Sequence, residues 1–212
     1  MAGGARRQIR VLCLSLAAIA FAVFAVRPAA AQNRCAGYKI KTAGKIARCL
    51  LKEEASAALD GSIDQDAVDL CHAKLQTAFT KAEFKPPCLT TGDANAIDAK
   101  ISAMVDDVSG ALAPGAPDEK KCQSLKIKAS GAKAKCLLTV EARAVAKGLS
   151  PDPLREMKCR DKFAVVFADT EAQHHCTTTG DVGDVEATID AFVDDVVTEL
   201  TGTGSPSGAF VP

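Results

Sequence analysis

The chain has 212 residues, is 48% hydrophobic and 25% charged, and balances 26 Lys+Arg against 26 Asp+Glu. That composition is globular and excludes a collagen, a coiled-coil rod and a polytopic membrane protein; the zero net charge carries no electrostatic footprint for nucleic acid. Aromatic residues reach only 4%, with no Trp, whereas nine Cys is a high count for this size.

Residues 1–31 read as a secretory signal. Arg6, Arg7 and Arg10 form a positive n-region, Val11 to Val26 is an apolar run, and Pro28-Ala29-Ala30-Ala31 ends on small residues suited to cleavage. The run is shorter than the about 20 apolar residues a spanning helix needs, so no stable membrane insertion is expected after cleavage. The Arg6-Arg7 pair also admits twin-arginine export. Cleavage after Ala31 removes four Arg and no acid, leaving 22 basic against 26 acidic residues. It also removes Cys13 and leaves eight cysteines, an even number that implies an oxidising compartment and a disulfide framework. The expected localisation is secreted or periplasmic.

Helix A is expected from about Cys35 to Leu59, with Ile40, Ala43, Ala47, Leu50, Leu51 and Ala58 at helical period. Gly61 supplies its stop, and Asp64 an N-cap for helix B, which runs from about Gln65 to Glu83. Val68, Cys71, Leu75, Phe79 and Ala82 lie on the apolar stripe of helix B, and Pro86-Pro87 ends it. Helix C begins at Thr90-Thr91-Gly92-Asp93, where Thr90 and Asp93 are three apart as in a capping box. Its apolar face is Ile97, Ile101, Met104, Val105, Val108 and Leu112.

The same pattern then recurs. The cysteines fall at 35, 49, 71 and 88 and again at 122, 136, 159 and 176, an offset of 87 that becomes 88 after a one-residue insertion near Gly148. Lys39-Ile40-Lys41 matches Lys126-Ile127-Lys128, Gly44 matches Gly131, Glu83 matches Glu171, and both halves carry Thr-Thr-Gly-Asp and Val-Asp-Asp-Val. Duplication follows. The expected fold is all-α, two tandem three-helix repeats, each an antiparallel α-hairpin plus a third helix, stapled by disulfides. The boundaries are 32–112 for the first repeat, 113–119 for a Pro- and Gly-bearing linker, 120–201 for the second, and 202–212 for a disordered tail. In the second repeat Asp152-Pro153 starts helix B with Pro at its first position.

Residues equidistant from the turn of a helical hairpin face each other. Cys49 lies 12 residues before Gly61 and Cys71 lies 10 after it, while Cys35 and Cys88 lie 26 before and 27 after. Nested bridges are therefore expected: Cys49–Cys71 inside Cys35–Cys88, and Cys136–Cys159 inside Cys122–Cys176. Joining Cys35 to Cys71 instead would link points roughly 20 Å apart along the helix axis.

Charge sorts by helix. Helix A is basic, with Lys39, Lys41, Lys45, Arg48 and Lys52, then Lys126, Lys128, Lys133 and Lys135; helix C is acidic, with Asp93, Asp98, Asp106 and Asp107, then Asp181, Asp184, Glu186, Asp190, Asp194, Asp195 and Glu199. Solvated faces and A-to-C complementarity account for this. The sharper alternative is an interaction surface, basic for an anionic polymer or acidic for a partner or a cation. Asp181, Asp184 and Glu186 are candidates for Ca²⁺, without an EF-hand loop. His174-His175-Cys176 suggests a metal, but the cysteine fits a disulfide better, and no Cys-x₂-Cys or haem motif occurs. Glu83, Glu171, Glu54 and Glu141 read as surface or ion-pair residues rather than acid/base pairs.

No enzyme signature is found, and neither a catalytic residue nor a cofactor nor a metal is assigned. The expected function is a non-enzymatic interaction or structural module with a protein or polymer partner; nucleic acid is not expected as a partner. The alternative is a carrier for a small apolar ligand, with Phe79, Phe163, Phe167, Phe192 and Met104 lining a cavity between helices.

The residues from Lys39 to Leu51, Cys71 to Lys74, Phe79, Glu83 and Cys88 with its Thr-Thr-Gly-Asp resemble the repeat unit of uncharacterised cysteine-rich secreted proteins of Gram-negative bacteria. The resemblance covers nearly the whole mature chain and implies no activity. The hairpin also resembles the twin-cysteine helical hairpins of the mitochondrial intermembrane space, whose cysteines are closer together within each helix; only the nested-staple logic carries over.

Overall fold

The computed structural model describes residues 27–85, 87–112 and 119–202. The n-region and apolar run of the expected signal, all of the expected linker but Glu119, and the tail beyond Gly202 lie outside the described residues. Among them are six α-helices and no strand: α1 (Arg27–Asp60), α2 (Gln65–Glu83), α3 (Ala94–Ala111), α4 (Lys120–Lys147), α5 (Pro153–Gln173) and α6 (Val182–Thr201). The chain is all-helical, as its apolar periodicity requires. No helix among the described residues is long and apolar enough to cross a membrane.

Helix α1 begins eight residues before Cys35 and covers the expected cleavage point. Pro28 suits a first turn, and Ala29-Ala30-Ala31 has the highest helix propensity available. Elsewhere the ends follow local chemistry. The Asp64 carboxylate accepts the Ala67 N–H, and the Asp152 carboxylate accepts those of Leu154 and Arg155, with Pro153 opening α5. Gly148 ends α4 in the left-handed region, at φ 66°, where a side chain would be strained.

The long helices α1 and α4 make the most extensive contact in the molecule and run antiparallel. Gly37 faces Ala142 and Ala146, Gly44 faces Lys135 and Leu138, and Gly131 faces Arg48 and Leu51. A Cβ on Gly37 would stand 2.6 Å from the Ala142 carbonyl oxygen, so the close approach depends on its absence. Helices α2 and α3 pack on α1, α5 and α6 pack on α4, and α3 meets α6. One apolar core runs through both halves, joining Ile40, Leu51, Phe79 and Ile101 to Ile127, Leu138, Phe167 and Ile189. The sequence boundaries at 112 and 120 therefore separate stretches of chain but not hydrophobic cores.

The bridges are nested. Cys49–Cys71 and Cys136–Cys159 tie the inner parts of the hairpins, and Cys35–Cys88 and Cys122–Cys176 tie the outer ends. Four bridges indicate folding outside the reducing cytosol.

Candidate functional site

Three lysines of the basic helices are buried rather than solvated, and they meet acids of the third helices as the expected A-to-C complementarity has it. Lys39 is 0%, Lys126 1% and Lys133 2% exposed, whereas Lys41, Lys45, Lys52 and Lys128 do face solvent. A buried ammonium needs acceptors for all three of its N–H bonds. Lys39 Nζ donates to Glu83 Oε1 at 2.5 Å, to the Thr90 carbonyl at 2.9 Å and to the Asp93 carboxylate at 2.9 Å. It also stands 5.3 Å from the centroid of the Phe79 ring. Lys126 repeats this arrangement with Glu171 at 2.6 Å, the Thr178 carbonyl at 2.8 Å, Asp181 at 2.8 Å and the Phe167 ring at 5.3 Å.

These sockets explain why Thr-Thr-Gly-Asp occurs twice. The expected capping box does not form: neither Asp93 nor Asp181 caps its helix through its side chain. The carboxylates turn to the buried lysines instead, because a desolvated cation is a stronger partner than a backbone N–H with access to water. Thr90 donates its hydroxyl to Asp93. Gly92 sits at φ 74° and directs its N–H to the Glu83 carboxylate, as Gly180, at φ 73°, does to Glu171. Burial by itself would raise the Glu83 carboxyl; Lys39, the Gly92 N–H and the hydrogen bond with Asp93 together hold it below the ordinary carboxylate range.

The third lysine belongs to the second half alone. Lys133 reaches Glu186 at 2.8 Å and Asp190 at 2.9 Å, and lies 5.0 Å from the Phe163 ring. Arg160 pairs with the same two acids; Asp190 and Glu186 hold its guanidinium protonated more firmly than usual, against burial. The corresponding first-half residues are Ile46, Leu75, Asp98, Ser102 and His72, an apolar pair beside a His72 Nδ1–Asp98 contact of 2.7 Å. The Ca²⁺ candidates are not left as a trio: Asp181 and Glu186 each hold a different buried lysine. In His174-His175-Cys176 the thiol is bridged to Cys122.

Glu141 departs from the surface or ion-pair reading. It is half-buried beside Glu156, with Asp194 near by, and burial followed by these like charges pushes its carboxyl up to about 7. Glu54, its first-half counterpart, is raised by burial and then by Asp106. A carboxyl raised on folding takes up a proton that the unfolded chain releases. Its destabilising effect is therefore present above about 7 and is relieved as pH falls toward the unfolded value. After discounting for partial exposure, Glu141→Gln is expected to raise the melting temperature at about pH 8 by about 2–4 °C and to leave it unchanged near pH 5. Thermal melts at the two pH values check this; an equal shift at both would refute the titration argument.

A groove of about 580 Å³ lies between α4 and α5. Its floor is apolar, built from Val140, Phe163, Val166 and the Cys136–Cys159 bridge. Its wall and rim are cationic. Lys133 and Arg155 have carboxylate partners, whereas Arg48, Lys135, Arg143, Lys158 and Lys162 have none among the described residues. No acid lines it. At the positions of Arg143, Arg155 and Lys158 the first half has Ser56, Ala67 and Leu70. A first-half groove of about 300 Å³ overlaps the matching positions only at Leu70, Lys74 and Ala78, and is completed by Tyr38, Ala73, Thr77 and Lys81.

The aromatic cavity considered from sequence is not assembled. Phe79, Phe167, Met104 and Phe192 are packed in the core, and of that set Phe163 alone reaches the groove. The cations that define the groove come from three helices, α1, α4 and α5. Lys158 and Lys162 lie one turn apart on α5, and their spacing was the available sequence signal. Comparison with protein-family models, with curated proteins and with solved structures finds no match for this chain.

Proposed function

We propose that the protein is an exported, non-enzymatic binding module, periplasmic or secreted, that holds a small ligand in the α4–α5 groove. The observation that carries this reading is a set of five cations around an apolar floor that have no carboxylate partner among the described residues, where the three buried lysines are all neutralised by acids. Charges placed side by side without counter-charge repel one another, and an anionic ligand relieves that repulsion. The volume lies within the range of ligand pockets. The lining consists of cations, alkyl groups, one phenyl ring, a disulfide and Thr139, without an imidazole or a carboxylate to move a proton. That composition favours binding over turnover. The reading keeps the interaction module expected from sequence and supplies it with a place.

The test is native mass spectrometry of the protein recovered from the periplasm of an expressing host with its bridges formed. A one-to-one adduct is expected, and Val166→Trp, which fills the apolar floor, is expected to abolish it without changing the melting temperature. An adduct retained in Val166→Trp would place binding elsewhere, and its absence from the parent protein would count against a resident ligand.

A further inference from the structure

The groove is rimmed by cations along its length, and three of them, absent at the matching first-half positions, gather at one end. Helices α4 and α5 are antiparallel, and the Cys136–Cys159 bridge fixes their register, so Arg143 on α4 comes opposite Arg155 and Lys158 on α5 at the end near Gly148. Further along, Ala129 and Ala132 on α4 and Phe163 and Val166 on α5 form an apolar trough, rimmed by Lys135, Lys162 and Arg48. Cations above an apolar trough, with the extra cluster at the Gly148 end, match a ligand that carries both an anionic group and an apolar chain. We infer that the groove takes an anionic amphiphile, a single carboxylate, sulfate or phosphate headgroup on one apolar chain, with the head at Arg143, Arg155 and Lys158 and the chain over Phe163 and Val166.

Three physical points support the assignment. Guanidinium groups pair an oxyanion bidentately, and two of the three head-end cations are arginines. The pair of Arg155 with Asp152 involves side chains about half exposed, at 3.1 Å, and a solvent-screened bond of that kind gives way to a ligand. Finally, the first half provides an internal contrast. It has the same hairpin and bridge but carries Ser56, Ala67 and Leu70 at these positions, so the common scaffold does not require the cations. An inorganic anion or a sulfated polymer would engage the cations but would leave the trough unfilled, and a neutral apolar ligand would leave the cations unrelieved.

This inference rests on the binding-module reading, and the experiment separates the two. Dodecanoate, dodecanol, acetate and dextran sulfate are titrated by calorimetry into the full-length protein with intact bridges. The first-half residues are then installed as Arg143→Ser, Arg155→Ala and Lys158→Leu, all at exposed positions. Dodecanoate is expected to bind one-to-one. The triple variant is expected to bind it at least about tenfold more weakly, as is Val166→Trp, with dodecanol and acetate weaker than dodecanoate by a similar factor. Lys121→Ala, an exposed cation that lines neither groove, keeps parent affinity and controls for loss of one charge.

Equal binding of dodecanoate and dodecanol, lost in Val166→Trp but kept in the triple variant, overturns the anionic class and leaves the groove reading standing. Dextran sulfate binding that survives Val166→Trp, with no dodecanoate binding, overturns the amphiphile in favour of a polyanion surface. No binding of any of the four overturns the amphiphile; the binding module then stands only on the native adduct and its loss in Val166→Trp. If the triple variant fails to fold, Lys158→Leu alone is titrated with the same expectation in direction.

Discussion

Lys39→Met is expected to lower the unfolding free energy by about 3–5 kcal/mol, the cost of removing one partner from a buried ion cluster. The methionine fits the space, so the loss is electrostatic. Glu83, Asp93 and the Thr90 carbonyl are left facing one another without the ammonium that joins them. Urea denaturation with an unchanged m-value measures it. Adding Glu83→Gln and Asp93→Asn to Lys39→Met is expected to recover part of the loss, because neutral amides no longer repel and the three sites are coupled. A cost below about 1 kcal/mol would mean that Lys39 reaches water and that the socket is a surface pair. The pH dependence has a definite sign. The Glu83 carboxyl is held below its ordinary value, so its contribution is complete above the unfolded value and is lost as pH falls through the folded one. Acid therefore destabilises the parent protein more than it destabilises Lys39→Met.

Removing the bridges is expected to have an effect of similar size. The outer Cys35–Cys88 bridge closes 53 residues and the inner Cys49–Cys71 bridge 22. Loop entropy assigns about 4 kcal/mol to the first and about 3 kcal/mol to the second. The corresponding bridges of the second half, with separations of 54 and 23, follow suit. Against a marginal total stability of about 5–15 kcal/mol, loss of all four exceeds what the core supplies. Reduced protein is thus expected to lose its cooperative melt and most of its helicity by circular dichroism. Full helicity with an unchanged melting temperature in reductant would refute the argument that the staples hold the fold.

Much of the architecture was legible before the coordinates. The apolar period of Ile97 to Leu112 and of Val185 to Leu200 marks amphipathic helices, and the distances of the cysteines from Gly61 select the nested bridges. Local chemistry reaches that far because caps, periods and turns depend on near neighbours. The lysine sockets were out of reach for the opposite reason. A lysine at helical spacing reads as a solvated residue, and what buries Lys39 is a carboxylate 44 residues away and a turn 51 residues away. The trace it left was the joint recurrence of Lys39, Glu83, Thr90, Gly92 and Asp93 in the second half, visible as repetition but silent about contact. Asp93 shows the limit well: its place at the start of α3 and a basic partner on the first helix were legible, and the burial of that pair was not. The groove depends on the docking of α1 beside α4, and Gly37, Gly44 and Gly131 carry no periodic signal of that close approach. Arg48, the first-half match of Lys135, reaches its rim only through that contact.

The antiparallel pairing of α1 with α4 has a consequence for how the molecule responds to proteases. Each half carries its own two bridges, and none joins the halves among the described residues. A single cut between Leu112 and Glu119 therefore yields two fragments with no covalent tie. They remain together as a noncovalent heterodimer, because the surface that separation would expose is the glycine- and alanine-lined seam and the apolar core behind it. The nicked protein would run as one species on a native column and as two on a denaturing gel, and either fragment released alone would seek a second copy of the same seam.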